Sequence, residues 1–184
     1  MSIGFWETLA SANGDGTAVT AVGPSSLLGG PAATGLYSMA ANRLRVGDVI
    51  SLRASGIVSS AVTTPGTYRW SVNYGGTAAV FDSLAITPIS GSAQTNIPWL
   101  LDIEGIVRTV GPATTATIYW QGYVFCLAIS VTVPMITVPT TTAVGAGFNT
   151  TVVSTVDFQW TQTVTTGSIT LHNYSLSLKT SSGF

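Results

Sequence analysis

Two acidic residues, two positions apart, are the side chains in this sequence best placed for acid–base chemistry. Asp102 and Glu104 fall on one face of a segment with strand-like alternation. Paired carboxylates of this kind carry out acid–base catalysis in glycosidases. The same spacing also describes a solvent-facing strand, with Arg108 on the same face. We interpret the pair as a solvated face and keep a small glycan-active enzyme using Asp102 and Glu104 as the second alternative.

The other side chains with chemical potential are isolated. The chain has one histidine, His172, and one cysteine, Cys126. A zinc site usually needs three or four such ligands, so carboxylates would have to converge on His172 to form one. We interpret His172 as a polar residue on a strand face and Cys126 as a small buried hydrophobe. The sequence predicts no catalytic residues, no metal site and no cofactor.

Aromatic residues alternate with polar ones along several segments, a pattern with two interpretations. A groove lined by exposed aromatics would suit a protein that binds sugars. Alternation with polar neighbours is more typical of core positions, and we favour the core. The residues concerned are Tyr68, Trp70, Tyr74, Trp99, Trp120 and Trp160.

The stretch 97–129 predicts the hairpin around which the other segments are arranged. Its first strand is expected at 99–109 and its second at 114–129, joined by a turn at 110–113 that contains Gly-Pro. The second strand is apolar on both faces. We expect it to be buried on both sides, by a second sheet and by a neighbouring subunit or loop.

The remaining segments predict an all-β protein. About eight strands separated by turn signals favour an antiparallel β-sandwich, with a jelly roll as the preferred version. A phase shift in the last strand predicts a β-bulge at His172 and Asn173. We expect residues 43–180 to form the sandwich and residues 1–42, rich in Gly, Ala and Ser, to form an extended arm.

Composition narrows the function classes. Only 7% of the 184 residues are charged, against roughly 25% in an ordinary soluble domain. Basic residues are scattered, so direct nucleic-acid binding is not expected. The longest apolar run is broken by Ser130, Thr132 and Pro134, which argues against a membrane location. The N-terminal residues do not read as a signal peptide. A surface so poor in charge favours a subunit that neighbours cover in an assembly.

Three parts of the chain carry a set of turn and strand motifs. The first joins Ser-Leu-Leu at 26–28 to Leu-x-x-Gly-Asp at 44–48. The second is the aromatic strand within 64–76, and the third joins Val-Asp-x-x-Trp at 156–160 to the strand at 168–176. With this combination the chain resembles auxiliary structural proteins of tailed bacteriophages, namely capsid decoration and minor structural proteins of the jelly-roll type. The similarity covers most of residues 25–178.

The resemblance implies a non-enzymatic virion component, present in many copies and assembled in the host cytoplasm. It implies a homo-oligomer, with a trimer favoured, and contact with other virion proteins such as the major capsid protein. We therefore expect a capsid-associated subunit, either a decoration or a minor capsid protein, that stabilises the particle. The first alternative is a tail or fibre protein that binds a host-surface glycan through exposed aromatic residues. Its arm, residues 1–42, is expected to reach over a neighbouring subunit.

Overall fold

A computed structural model describes residues 5–28, 37–60, 66–76, 79–89, 93–129, 134–139 and 144–180. Within these residues the chain is all-β, with eleven strands and no helix. The strands are β1 (Phe5–Ala12), β2 (Gly23–Ser26), β3 (Tyr37–Met39), β4 (Val49–Ser60), β5 (Tyr68–Tyr74), β6 (Ala79–Asp82), β7 (Gln94–Thr109), β8 (Thr117–Cys126), β9 (Met135–Val138), β10 (Ser154–Gln162) and β11 (Ser168–Thr180).

The strands form two antiparallel sheets, packed face to face. The larger sheet has the order β1-β11-β4-β7-β8-β9, and the smaller sheet has the order β2-β10-β5-β6, with β3 also paired to β10. The predicted antiparallel β-sandwich is therefore confirmed. The described residues contain more strands than the eight or so expected, because the N-terminal segment contributes three of its own.

The segment predicted as an extended arm contributes three strands to the sandwich. β1 pairs along β11, while β2 and β3 pair with β10. Three of its side chains, Leu27, Leu28 and Met39, are buried in the common core. Residues 1–4 and 29–36 lie outside the described residues. A truncation near residue 40 would remove edge strands of both sheets and part of the core.

The predicted hairpin is present as β7 and β8. Trp99 pairs with Cys126 at one end of the ladder and Thr109 with Thr117 at the other. β7 begins earlier than predicted, at Gln94, and β8 is shorter, because residues 127–129 turn away from the sheet. Side chains alternate on both strands between a buried inner face and a half-exposed outer face.

Aromatic side chains join the two sheets across the inner faces. Trp99 of the larger sheet lies 6.0 Å from Trp70 and 6.4 Å from Phe158 of the smaller sheet, measured between ring centroids. Trp120 of the larger sheet contacts Phe81 of β6 at 5.8 Å. Burial of each such side chain stabilises the fold by roughly 1.5–3 kcal/mol, so this cluster contributes to holding the two sheets together.

Two motifs noted in the sequence have local structural explanations. Gly47 has a φ of +91°, a conformation that favours glycine. The buried Asp48 accepts a hydrogen bond from the Arg45 backbone amide at 2.8 Å. The Gly-Asp pair thus belongs to a turn that precedes β4. The predicted bulge is also confirmed, because the β11–β4 register shifts between Leu171 and Asn173.

Candidate functional site: the outer face of the larger sheet

A polar row crosses the middle of the outer face of the larger sheet. β-pairing places Arg53 of β4, Asp102 of β7 and Tyr123 of β8 side by side. The Arg53 Nε lies 3.9 Å from the Asp102 Oδ2, and the Tyr123 hydroxyl donates to the same oxygen at 3.5 Å. These are long contacts between partly exposed groups, so the row holds its carboxylate loosely and in contact with water.

Glu104 lies on the same face as Asp102, as the sequence predicts, but the two have different neighbours. Glu104 is exposed and lies between Ser51 and Gln121 in the adjacent strands. Arg108 does not bridge the pair, since its guanidinium lies 4.6 Å from the centre of the Tyr119 ring. A glycosidase pair needs one carboxyl group sheltered enough to remain protonated. Two carboxylates on an open strand face fit the solvated interpretation better.

Apolar side chains lie on this outer face beside the polar row. Leu100, Phe125 and Met135 are aligned across β7, β8 and β9, and we call them the β8–β9 patch. Phe125 is 38% exposed and Met135 is 52% exposed. Exposed apolar side chains that adjoin one another on a strand surface are typical of contact sites.

The sequence prediction for β8 is therefore confirmed on one face only. Its inner residues, among them Ile118 and Val124, are buried against the smaller sheet. Its outer residues Tyr119 and Tyr123 are partly exposed, and Phe125 is exposed. The apolar pattern of β8 predicts that a second layer covers its outer face, and the described residues of this single chain supply no such layer.

His172 makes a structural contact with Asp15 at the bulge of β11. Its Nδ1 lies 2.6 Å from the Asp15 Oδ1, and beside it the Gly16 amide donates to the Leu171 carbonyl at 2.7 Å. The contacts fasten the turn after β1 to β11. Among the residues that the structure describes, no group of three or more His, Cys, Asp or Glu side chains is placed to hold a metal ion.

Cys126 is fully buried at the end of β8, as predicted. Burial raises the pKa of the Cys126 thiol, because the thiolate would lose its hydration there, although backbone amides of Ala128 and Ile129 partly oppose the effect. A buried, protonated thiol is a poor nucleophile, so Cys126 acts as a small core residue.

The six aromatic residues proposed as either core or sugar platform all lie in the core, with at most 2% of their surface exposed. Among the residues that the structure describes, the exposed large aromatic side chains are different ones: Phe5, Trp6 and Phe125. Sequence reasoning missed Phe5 and Trp6 because the N-terminal segment lacks sustained alternation. A search for apolar residues on a short edge strand would have found them.

Comparison with known proteins gives no relative for this chain: no family model, no curated protein and no solved structure matches it. The resemblance to phage structural proteins therefore stays a prediction from the motifs. Across the described part of the chain, no helix has the length and apolar character needed to cross a membrane.

Proposed function

We propose that this protein is a non-enzymatic structural subunit of a bacteriophage virion, associated with the capsid, that oligomerises and stabilises the particle. One observation carries the proposal. Thirteen large hydrophobic side chains are exposed within the described residues. The whole chain has the same small number of charged residues, six basic and seven acidic. A surface of this kind favours contact with protein over contact with water.

The strand order supports the finer fold assignment, a jelly roll. If the short β3 is set aside, together with β8 and β9 at one end of the larger sheet, eight strands remain. The larger sheet then has the order β1-β11-β4-β7, and the smaller sheet has the order β2-β10-β5-β6. Counted along the chain, these are the first, eighth, third and sixth of the eight strands in one sheet, and the second, seventh, fourth and fifth in the other. This order is the one expected for a jelly roll, a fold common in viral capsid proteins, and it supports that assignment. Fold alone does not assign function, so it adds only to the argument from the surface.

We assign the self-association surface to the outer face of the larger sheet. The β8–β9 patch adds apolar area there, while the polar row of Arg53, Asp102 and Tyr123 supplies groups that can form hydrogen bonds across an interface. A second copy is the occupant we propose, because the chain has a net charge of only −1 and Arg53 lies beside Asp102 on this face, so two copies meet with little net electrostatic repulsion. A stable contact of this type buries about 800 Å² on each partner.

Light scattering of the purified full-length protein tests the association. We expect the wild type to be a trimer or a larger species, and the double variant Phe125→Ser, Met135→Ser to shift to lower mass with an unchanged fold by circular dichroism. The matched control is Val152→Ser, Val153→Ser, which removes two exposed apolar side chains before β10 in the smaller sheet. A monomeric wild type would refute self-association, and equal shifts in both variants would refute the assignment to this face.

The virion assignment has its own test. Mass spectrometry of gradient-purified particles of the encoding phage should detect this chain at a fixed ratio to the major capsid protein. Particles assembled without the chain should lose DNA at a lower temperature than complete particles. If infected cells make the protein and purified particles lack it, the virion proposal is wrong, whatever its oligomeric state.

The two alternatives lose the residues on which they depended. The glycan-binding tail protein required aromatic residues in a groove, but the six candidates, among them Trp70 and Trp160, are buried. The glycan-active enzyme required a sheltered carboxyl group, but Asp102 and Glu104 lie on an open face. No specific feature of the described residues favours either alternative over a structural subunit.

A further inference from the structure

The turn that follows β1 contains two dipeptides in which glycine follows a side chain that its nitrogen can attack. They are Asn13-Gly14 and Asp15-Gly16. Asn13 is the only asparagine of the chain that glycine follows, and Asp15 is the only such aspartate. Glycine has no Cβ to obstruct the approach of its nitrogen to the preceding side-chain carbonyl carbon. The sequence therefore offers two neighbouring sites for the same backbone reaction.

The first dipeptide, Asn13-Gly14, is unrestrained by the fold. Both residues are exposed, and β1 ends before them at Ala12. Between described residues, no hydrogen bond engages the Asn13 side chain or the Gly14 amide. A Cβ built on Gly14 would meet nothing within 4 Å, so the backbone has room to turn. The attacking nitrogen and its target carbon can therefore approach each other without breaking a contact.

The second dipeptide, Asp15-Gly16, is held at both of its reacting groups. The Gly16 amide donates to the Leu171 carbonyl at 2.7 Å. The Asp15 Oδ1 lies 2.6 Å from the His172 Nδ1. A Cβ on Gly16 would lie 3.1 Å from the same Leu171 oxygen, so the backbone is closely packed there. Attack of the Gly16 nitrogen on the Asp15 side chain would have to break both contacts.

We propose that Asn13 is a site of spontaneous deamidation in the folded protein, whereas Asp15 is protected from the matching reaction. The Gly14 nitrogen gives up its proton and bonds to the Asn13 Cγ, the Cγ–Nδ2 bond breaks, and ammonia leaves. Water then opens the five-membered succinimide at either carbonyl, which gives aspartate or isoaspartate. The net reaction consumes water and releases ammonia, and it needs no oxidant or cofactor. This inference does not rest on the virion assignment.

The two products differ in their effect on the chain. Either product makes the formal net charge of −1 more negative by one unit. Isoaspartate also carries its Cβ in the main chain, between two anchored points. On one side Ala12 pairs with Tyr174, and on the other the Gly16 amide is bonded to Leu171. Because the link between these points becomes longer, we expect the pairing at this end of β1 to loosen.

Peptide mapping of the purified full-length protein, incubated in mildly alkaline buffer, tests the site. We expect the peptide with Asn13 to acquire the mass of the aspartyl products at least about tenfold faster than any other asparagine peptide. Fragmentation that distinguishes isoaspartate from aspartate should find both products at residue 13. A peptide that stays unmodified, or reacts no faster than the other asparagine peptides, would overturn the proposed deamidation site.

Gly14→Ala is the variant that tests the mechanism of the reaction. Its methyl group enters open space, so the fold should be unchanged by circular dichroism. The added Cβ obstructs the attack, and deamidation of Asn13 should slow by at least about tenfold. An unchanged rate would overturn the attack by the Gly14 nitrogen.

The protection of Asp15 has a separate test in the variant Asn13→Gln, which leaves Asp15-Gly16 as the reactive dipeptide of the turn. The variant is incubated in mildly acidic buffer, folded or denatured by guanidinium chloride. Isoaspartate at residue 15 should form at least about tenfold faster in the denatured chain, because both contacts of the dipeptide are then lost. Equal rates in the two conditions would overturn the protection by the fold.

Discussion

The two faces of β8 are similar in sequence and different in environment. On the inner face, Trp120 and Val124 are buried against the smaller sheet. On the outer face, Tyr119 and Phe125 have comparable apolar area and remain partly exposed or exposed. Burial in a folded single chain therefore accounts for only half of the apolar character of this strand. We infer that the inner face maintains the fold and the outer face is available for association.

The largest expected effect compares neighbouring residues of β8. Trp120→Ala should lower the free energy of unfolding by about 3–5 kcal/mol, because it leaves a cavity in the core. Tyr119→Ala should cost only about 1 kcal/mol, chiefly the loss of its contact with Arg108. Urea denaturation of both variants, under conditions where the protein is monomeric, measures the difference. Equal losses would show that the outer face also supports the fold.

Tyr74, a buried residue of β5 in the smaller sheet, should make the free energy of unfolding depend on alkaline pH. Burial, with a smaller contribution from nearby Tyr37, raises the pKa of Tyr74 to about 12, against an ordinary value of 10.0. The unfolded chain therefore releases this proton first as the pH rises. The stabilisation is complete below pH 10 and is lost progressively up to about pH 12, a change of at most about 3 kcal/mol, since contact with solvent weakens the effect.

Tyr74→Phe provides the measurement for that pH dependence. Urea denaturation between pH 9 and pH 12 should show a steeper loss of stability in the wild type than in the variant. Tyr68 and Tyr174, whose pKa values are also raised by burial, remain in both proteins and cancel in the comparison. Parallel curves would mean that Tyr74 ionises equally readily in the folded and unfolded chains.

The smallest expected effect lies in the polar row of the outer face. A double-mutant cycle on Arg53→Ala and Asp102→Asn should give a coupling below about 0.5 kcal/mol, because the two groups are 3.9 Å apart and partly exposed. Thermal unfolding at low and high salt measures it. A coupling above about 2 kcal/mol would indicate a sheltered pair, and it would revive the possibility of acid–base chemistry at Asp102.

Alternation along the strands predicted much of the fold. It placed Trp70, Trp99 and Trp160 in the core and located the β11 bulge, because each depends on local sequence. It failed for the N-terminal segment, where β2 has only four residues and takes its stability from pairing with β10. Such short strands follow from tertiary contacts, which local propensity does not contain.

The candidate sites were less predictable than the fold. The common face of Asp102 and Glu104 could be read from their spacing, but the contact of Arg53 with Asp102 depends on the β4–β7 register. Likewise, the alignment of Phe125 with Met135 depends on how β9 returns beside β8.

The pairing of β1 with β11 has a consequence for how the protein is made. Phe5 is the neighbour of Thr180 in the sheet, so the first strand leaves the ribosome long before its partner exists. Until then β1 is an unpaired apolar segment in a growing chain, and pairings this distant in sequence close slowly. The larger sheet is completed only after β11 has been synthesised. Emergence of β11 from the ribosome would then set the earliest moment at which the complete outer face of the larger sheet exists.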